Sequence, residues 1–408
     1  MTIRDCLAVV CRWAGALLPA VLPAVTFAQF TATPYAGESY DYNSDIFYLP
    51  TGGPAPIGKD GPTFADSTLR TRVGVDGNYL WDAQKLTFTV EGRRYDYEHF
   101  TDLDHNEGTL DGGMKWVVGS LWDGTVDYHH ERSMVQFTDL IDVTQLILQT
   151  ENRALVTANL HVTPDWRVDT QLFNRELYSP RPDAPSLSLH EESITEGVSY
   201  LGLGDVTAGF DVQYLKGTYS NAPLTEAVAL RYHQVTVEAN GTYVVSGLTT
   251  VTGNLGYTRR TDEVESEVFG LGGNDGVSGV TGKVVYKRDL TVKTSVGAQF
   301  DRGINSYVTT AGSEVDLSAQ VFATWLATYR LSVRASYKWT DSKFPQYGFG
   351  DRTDHLQYAN LEATYELFHW LTIRPYARYQ TRSSTLADYS FNSTGLGIEF
   401  LATLFKHQ

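Results

Sequence analysis

Apolar and polar side chains alternate one by one through long segments of this chain, and that alternation limits its folds more than any other feature. In "LTIRPYARYQTR", Leu371, Ile373, Ala377 and Tyr379 share one parity, while Arg374, Arg378 and Arg382 share the other. Leu86, Phe88 and Val90 likewise oppose Thr87, Thr89, Glu91 and Arg93, and Leu331, Val333, Ala335 and Tyr337 oppose Ser332, Arg334, Ser336 and Lys338. Successive side chains of a strand point to opposite faces. Each segment is therefore a strand with one greasy face and one wet, charged face.

The strands come at a fixed interval. Short joints lie near positions 82 ("LWDAQK"), 122 ("LWDGT"), 164 ("TPDWR"), 204 ("LGLGD"), 247 ("SGLTT"), 289 ("KRDL"), 328 ("LATYR") and 369 ("LFHWL"), so that they recur at about forty residues. Longer polar stretches rich in Asp, Gly, Pro and Ser fall between them, among them "TGGPAPIGKDGPTFADS", "SPRPDAPSLSL", "TDEVESEVFGLGGNDG" and "TDSKFPQYGFGDRTD". Eight short joints alternating with nine longer loops predict about eighteen strands, beginning near Gly37. A propeller also repeats at about forty residues, but it needs four short strands per repeat where this chain has two long arms.

An even strand number, short turns on one rim and long loops on the other describe a transmembrane, antiparallel, up-and-down β-barrel of the outer-membrane type. No segment after the first thirty residues has the ~20 uninterrupted apolar residues of a spanning helix. A closed barrel is the other structure that satisfies its backbone in lipid. A charge at the lipid-facing midplane costs roughly 2–4 kcal/mol, so the charged parity is assigned to the lumen. The short turns are then periplasmic and the long loops extracellular. Trp81, Trp122, Trp166, Phe368 and Trp370 by the short joints, and the aromatics of "RRYDYEHF" and "YNSDIFYLP" at the far ends, are expected to form the two interfacial girdles.

Arg4 and Arg12, the apolar run 14–24 and a small-residue cut after Ala28 read as a secretory signal. The expected organisation is a signal peptide over 1–28 and a single barrel domain over 29–408, exported through the periplasm to the Gram-negative outer membrane. Both cysteines, Cys6 and Cys11, would leave with the leader, so no disulfide is expected. The net charge of −16 argues against a nucleic-acid partner. Outer-membrane lipid and lipopolysaccharide are the expected surroundings.

By register, the basic or hydrogen-bonding lumen positions are Arg70, Arg72, Arg93, Lys115, Arg153, Arg167, Arg175, Lys283, Lys293, Arg334, Lys338, Arg374, Tyr376, Arg378 and Arg382. Acidic ones include Asp76, Glu91, Asp127, Glu131, Asp169, Asp211, Glu238, Glu362 and Glu399. Two readings stand side by side. A basic excess would favour anions and acidic saccharide, whereas charges paired between neighbouring strands would only stiffen the wall. The loop at 49–66 is the first candidate to fold inward.

Signals for chemistry are weak. "DLDHNEG" opens like a calcium loop but has Glu107 where glycine belongs and Gly113 where a bidentate Glu belongs. In "DYHHE", His129 and His130 point to opposite faces of a strand, while His129 can meet Glu131. No nucleophile elbow or phosphate-cradling loop is present. Neither enzyme activity nor a metal or cofactor is expected.

"SYDYNSDIFYLP" (39–50), "HERSMVQFTDL" (130–140), "LGYTRRTDE" (255–263) and "ASYKWTDSKF" followed by "DRTDHL" resemble the EpsL-type outer-membrane proteins of exopolysaccharide operons associated with exosortase systems. The likeness extends over the whole mature chain. It departs at "GGNDGVSGVTG" and at the end, "EFLATLFKHQ", where many such barrels carry a terminal aromatic. The resemblance implies a conduit for polysaccharide export or surface assembly, with a sugar polymer as substrate and a periplasmic polysaccharide-export protein as partner. The barrel itself equally allows an uptake porin or a plugged scaffold or receptor, because lumen charge does not give the direction of transport.

Overall fold

The computed structural model describes residues 30–50, 52–139, 144–180, 187–220, 228–266, 271–307, 312–345 and 352–404. The leader lies outside them. Eighteen strands follow in order: β1 (Phe30–Asn43), β2 (Asp66–Trp81), β3 (Gln84–Tyr97), β4 (His105–Val118), β5 (Trp122–Met134), β6 (Leu148–His161), β7 (Trp166–Ser179), β8 (Leu187–Tyr200) and β9 (Val206–Ser220). The second half comprises β10 (Val228–Ser246), β11 (Thr249–Ser266), β12 (Leu271–Thr291), β13 (Thr294–Tyr307), β14 (Gly312–Leu326), β15 (Leu331–Phe344), β16 (Arg352–Phe368), β17 (Leu371–Ser384) and β18 (Phe391–Thr403).

Each strand pairs antiparallel with the next, and β1 pairs with both β2 (Phe30↔Tyr79 to Asn43↔Asp66) and β18 (Tyr35↔Thr403 to Asn43↔Gly395). The sheet therefore closes on itself. Closure leaves no row of unpaired N–H and C=O groups, the condition for a sheet in lipid. The wall begins at Phe30, seven residues before the expected Gly37, because Phe30–Ala36 finds a full ladder on β2.

Interior and exterior are told apart by contacts that cross strands. Arg70 of β2 reaches Glu399 of β18 at 3.4 Å, passing over β1. The opposite parity is aliphatic and exposed: Val73, Val90, Leu110, Val126, Val156 and Leu172 run across β2 to β7. Near the short turns, Trp166 lies tilted against Tyr200 (4.9 Å) and Phe368 stacks beside Trp370 (5.6 Å), forming the lower girdle. The upper girdle is made by outward tyrosines within the strands, among them Tyr128, Tyr214, Tyr257, Tyr337 and Tyr379. Tyr42 of "YNSDIFYLP" also faces outward, whereas Phe47, Tyr48 and the aromatics of "RRYDYEHF" turn inward to a different task.

Two other expectations change. The joint expected near 289 sits at Val292–Lys293, since β12 continues to Thr291. Most of "TDEVESEVFGLGGNDG" is ladder, with Asp262 opposite Asp275 and Ser266 opposite Leu271. Beyond the bilayer a strand has water on both faces, so it loses the alternation by which it is recognised.

Candidate functional site

A buried apolar cluster lies inside the extracellular mouth, where several loops meet. Ile46, Phe47, Tyr97, Phe100, Leu103 and Phe137 form it, with Leu49, Tyr95, Met134 and Leu146 around them. Phe47 presents its ring edge-on to Phe100 (4.7 Å, 82°) and to Phe137 (4.9 Å, 65°), which belong to two different loops. Asp66 holds the base of this mouth cluster by accepting the backbone N–H groups of His99 (3.0 Å) and Phe100 (2.9 Å).

The next residue, Tyr48, reaches the other side. Its ring lies against Phe391 of β18 at 4.8 Å, and Asn43 donates to its hydroxyl at 3.4 Å. Its backbone is left-handed, φ 54°, a conformation that costs a bulky residue of order 1–3 kcal/mol. Burial pushes the Tyr48 phenol above its usual range, while the Arg378 guanidinium pulls it back. Burial also raises the neighbouring Asp45 carboxyl to about 6. The segment that folds inward is thus 44–50, most of it ahead of the predicted 49–66 loop.

A second obstruction comes from the β13–β14 hairpin. Its ladder with β12 ends at Gly282↔Arg302, yet Gly303–Tyr307 stays paired with Gly312–Asp316. The freed tip reaches across the interior. Ser306 meets Glu191 of β8 (2.8 Å), Tyr232 of β10 (2.6 Å) and Arg260 of β11 (3.0 Å), and Tyr219 of β9 donates to the carbonyl of Gly312 (3.2 Å). Tyr232 also donates to Glu191. Arg260 is fully buried, lies 3.6 Å from the Tyr232 ring centroid and pairs with buried Asp262 at 2.7 Å.

Below these two features lies the lumen wall. Strand register places Arg70, Arg72, Arg93, Lys115, Arg153, Arg167 and Arg175 on the interior face. Lys283, Arg334, Lys338, Arg374, Tyr376, Arg378 and Arg382 share it. Lys293 does not: it occupies the short turn after β12.

Much of this charge is paired. Glu399 lies near Arg72 (2.9 Å), Arg374 (3.3 Å) and Arg70 (3.4 Å). Arg93 meets Glu131 (2.9 Å), Glu91 (3.3 Å) and Glu107 (3.4 Å). Arg175 joins Glu151 (3.0 Å) to Glu191 (3.3 Å), Arg153 also meets Glu151 (3.2 Å), and Arg167 pairs with Asp169. Arg382 donates to the carbonyl of Tyr389 at 2.6 Å. These arginines brace the wall.

The remainder is uneven: among the described residues Lys115 on β4 and Lys283 on β12 form no ion pair, and three further basic groups gather on β15 and β17. Among the described residues no carboxylate lies within ion-pair distance of Arg334, Lys338 or Arg378 on β15 and β17, although Glu362 is the cross-strand neighbour of Arg334. Besides Glu362, their neighbours on this face include Tyr358, Asn360, Tyr376 and Gln380. On β2 to β10 the imbalance is reversed: Asp76, Asp127 and Glu238 accept from the neutral groups of Thr89 (2.7 Å), Thr125 (2.9 Å) and Asn254 (2.6 Å), and Asp211 accepts from Asn240. Paired charge thus accounts for part of the wall, and a local excess of basic or acidic groups for the rest.

The calcium-like stretch does not converge. Asp104 accepts the Tyr97 N–H at 2.7 Å, and Asn106 lies on the outward parity of β4. His129 takes Asp111 on Nδ1 (2.6 Å) with Glu131 3.7 Å from Nε2, while His130 faces outward to Asn152 (2.7 Å). Sequence reading missed Phe47, Tyr48, Tyr232 and Arg260 as pore residues. The one signal that could have found them was an aromatic excess in segments otherwise rich in turn residues.

Closure, an aliphatic exterior, two aromatic girdles and a charged interior belong together in one setting. The chain is an outer-membrane-type β-barrel. No protein-family model matches it, and no curated protein sequence does. Among solved structures it is similar to OccK2 (OpdF) of Pseudomonas aeruginosa, with 12% identity and TM-score 0.49 over 91% of this chain and 98% of that one. It is also similar to the ferric yersiniabactin uptake receptor FyuA from Yersinia pestis, with 10% identity and TM-score 0.45 over 92% of this chain and 80% of that one. The copper transporter OprC shares 11% identity at TM-score 0.47 over 90% of this chain, which spans 63% of that chain's length. The fold rests on the barrel's own strand pairing rather than on these likenesses.

Proposed function

We propose that the barrel is a substrate-selective uptake channel for small anionic solutes. An eighteen-strand barrel leaves an aqueous lumen unless something fills it. Here the mouth cluster and the hairpin tip narrow the entrance, so the path selects by size before the wall selects by charge. The observation that carries the reading is the Arg334, Lys338 and Arg378 group, three cations beside the single carboxylate of Glu362 and otherwise among amides and tyrosines. Basic rings favour anion passage, and weak repeated contacts let a solute leave as readily as it arrives.

Reconstitution in planar bilayers under a salt gradient tests this. Stepwise conductance with an anion-selective reversal potential is expected. Arg334→Gln, Lys338→Gln and Arg378→Gln combined should move selectivity toward cations, given the carboxylates of the facing wall. An absence of conductance steps, or selectivity unchanged by the triple variant, refutes the reading.

The export role implied by the resemblance would use the same basic wall to contact an acidic sugar polymer. Deletion in the source organism separates the two. Loss of surface polysaccharide supports export, whereas loss of growth on one small solute supports uptake.

A further inference from the structure

The lumen wall carries a second, chemically different recess, facing the interior from β3 to β7. Its volume is about 350 Å³, at the small end for a ligand site and suited to one or two sugar rings. Its floor is open because Gly113 has no side chain: a Cβ there would lie 2.9 Å from Thr87 Oγ1 and 3.1 Å from Asp127 Oδ1.

One edge is apolar. Leu155 and Phe173 are cross-strand partners on the interior face, a greasy pair beside the polar groups of the recess. The other edge is polar and pre-set. The His129 ring holds one oxygen of Asp111 (2.6 Å), and the Thr125 hydroxyl holds one oxygen of Asp127 (2.9 Å). In each carboxylate the second oxygen is left to accept. Arg153 is tied through Nε to Glu151 (3.2 Å), and its terminal nitrogens make no hydrogen bond to the described residues.

We infer that this recess binds a saccharide ring, with the C–H face of the sugar on Phe173 and Leu155 and its hydroxyls shared among Asp111, Asp127 and Arg153. A pyranose has an apolar face and a rim of groups that both donate and accept, which complements an apolar pair beside fixed acceptors and a fixed donor. The assignment rests on the channel reading and adds to it a substrate class, sugars whose neutral ring meets this recess while any acidic group meets the basic residues of β15 and β17.

Calorimetry on the full barrel in a sugar-free detergent, with maltose, lactose and sucrose as a panel and spermidine as a cationic probe, tests the recess without requiring transport. Saturable binding of at least one disaccharide is expected. Phe173→Ala should weaken it about tenfold or more, Asp127→Asn by a similar factor, and Phe173→Tyr should restore it. Heat-modifiable gel mobility confirms that each variant remains a barrel. Binding of no disaccharide, equal binding by Phe173→Ala, or a preference for spermidine overturns the assignment. Conductance without disaccharide binding defeats this inference alone, whereas binding without conductance defeats the channel reading alone.

Discussion

Phe47→Ala is the perturbation that most directly asks whether the mouth cluster controls the pore. Phe47 is 1% exposed and lies in a loop outside the strand ladder, so its loss leaves every wall hydrogen bond in place. Removing a buried phenylalanine costs about 3–5 kcal/mol in lost burial and residual cavity. The two edge-on ring contacts, to Phe100 and Phe137, are part of that figure rather than additions to it. Because three loops share the cluster, the loss falls on the equilibrium between closed and open mouth. Taking the lower end, about 3 kcal/mol is a shift of roughly a hundredfold toward the open arrangement, at about 1.4 kcal/mol per factor of ten. Single-channel recording should show long-lived higher conductance, and limited proteolysis should cut the 44–65 loop far faster than in the wild type. Tyr48→Phe is the control, since it loses only the long Asn43 contact and should change little. If Phe47→Ala keeps wild-type current and loop protection while the barrel stays folded, the aromatic cluster is decoration on the mouth and not its gate.

Glu196 is outward-facing at mid-strand on β8, beside Val212 and Thr170, with one hydrogen bond from the Thr170 hydroxyl (2.9 Å). Glu196→Leu should therefore stabilise the barrel in lipid vesicles by about 1–2 kcal/mol, read from denaturant unfolding, and a loss of stability would contradict the assignment of this face to lipid. Arg260→Met breaks the buried Arg260–Asp262 pair and should cost about 3–5 kcal/mol, with faster hydrogen exchange confined to the hairpin tip at 303–307. Asp45 binds its proton more tightly in the folded loop than in the unfolded chain, so the mouth cluster is firmest below about pH 4 and loosens as pH rises through about 6. Proteolysis of the loop between pH 4 and pH 7 should follow that course, and Asp45→Asn, which keeps an acceptor for the Leu49 N–H (3.2 Å), should abolish it.

The alternation at Leu86–Arg93 or Leu331–Lys338 is legible from sequence because lipid acts on each strand separately. Every outward position meets the same solvent whatever its neighbours, so two-residue periodicity, turn spacing and strand number follow from local pattern alone. Interior parity is legible for the same reason, which is why fourteen of the fifteen candidate side chains fall on the lumenal face and only Lys293, beside a misplaced joint, does not. What those side chains do inside was decided by closure. Arg70 and Glu399 are 329 residues apart and meet only when β1 joins β18. Glu191 and Ser306, 115 residues apart, meet only because a hairpin tip leaves the wall and crosses the interior. Phe47 is buried by loops that strand order brings to the same rim. Such contacts depend on the curvature and stagger of the whole cylinder, quantities that no short window of residues contains.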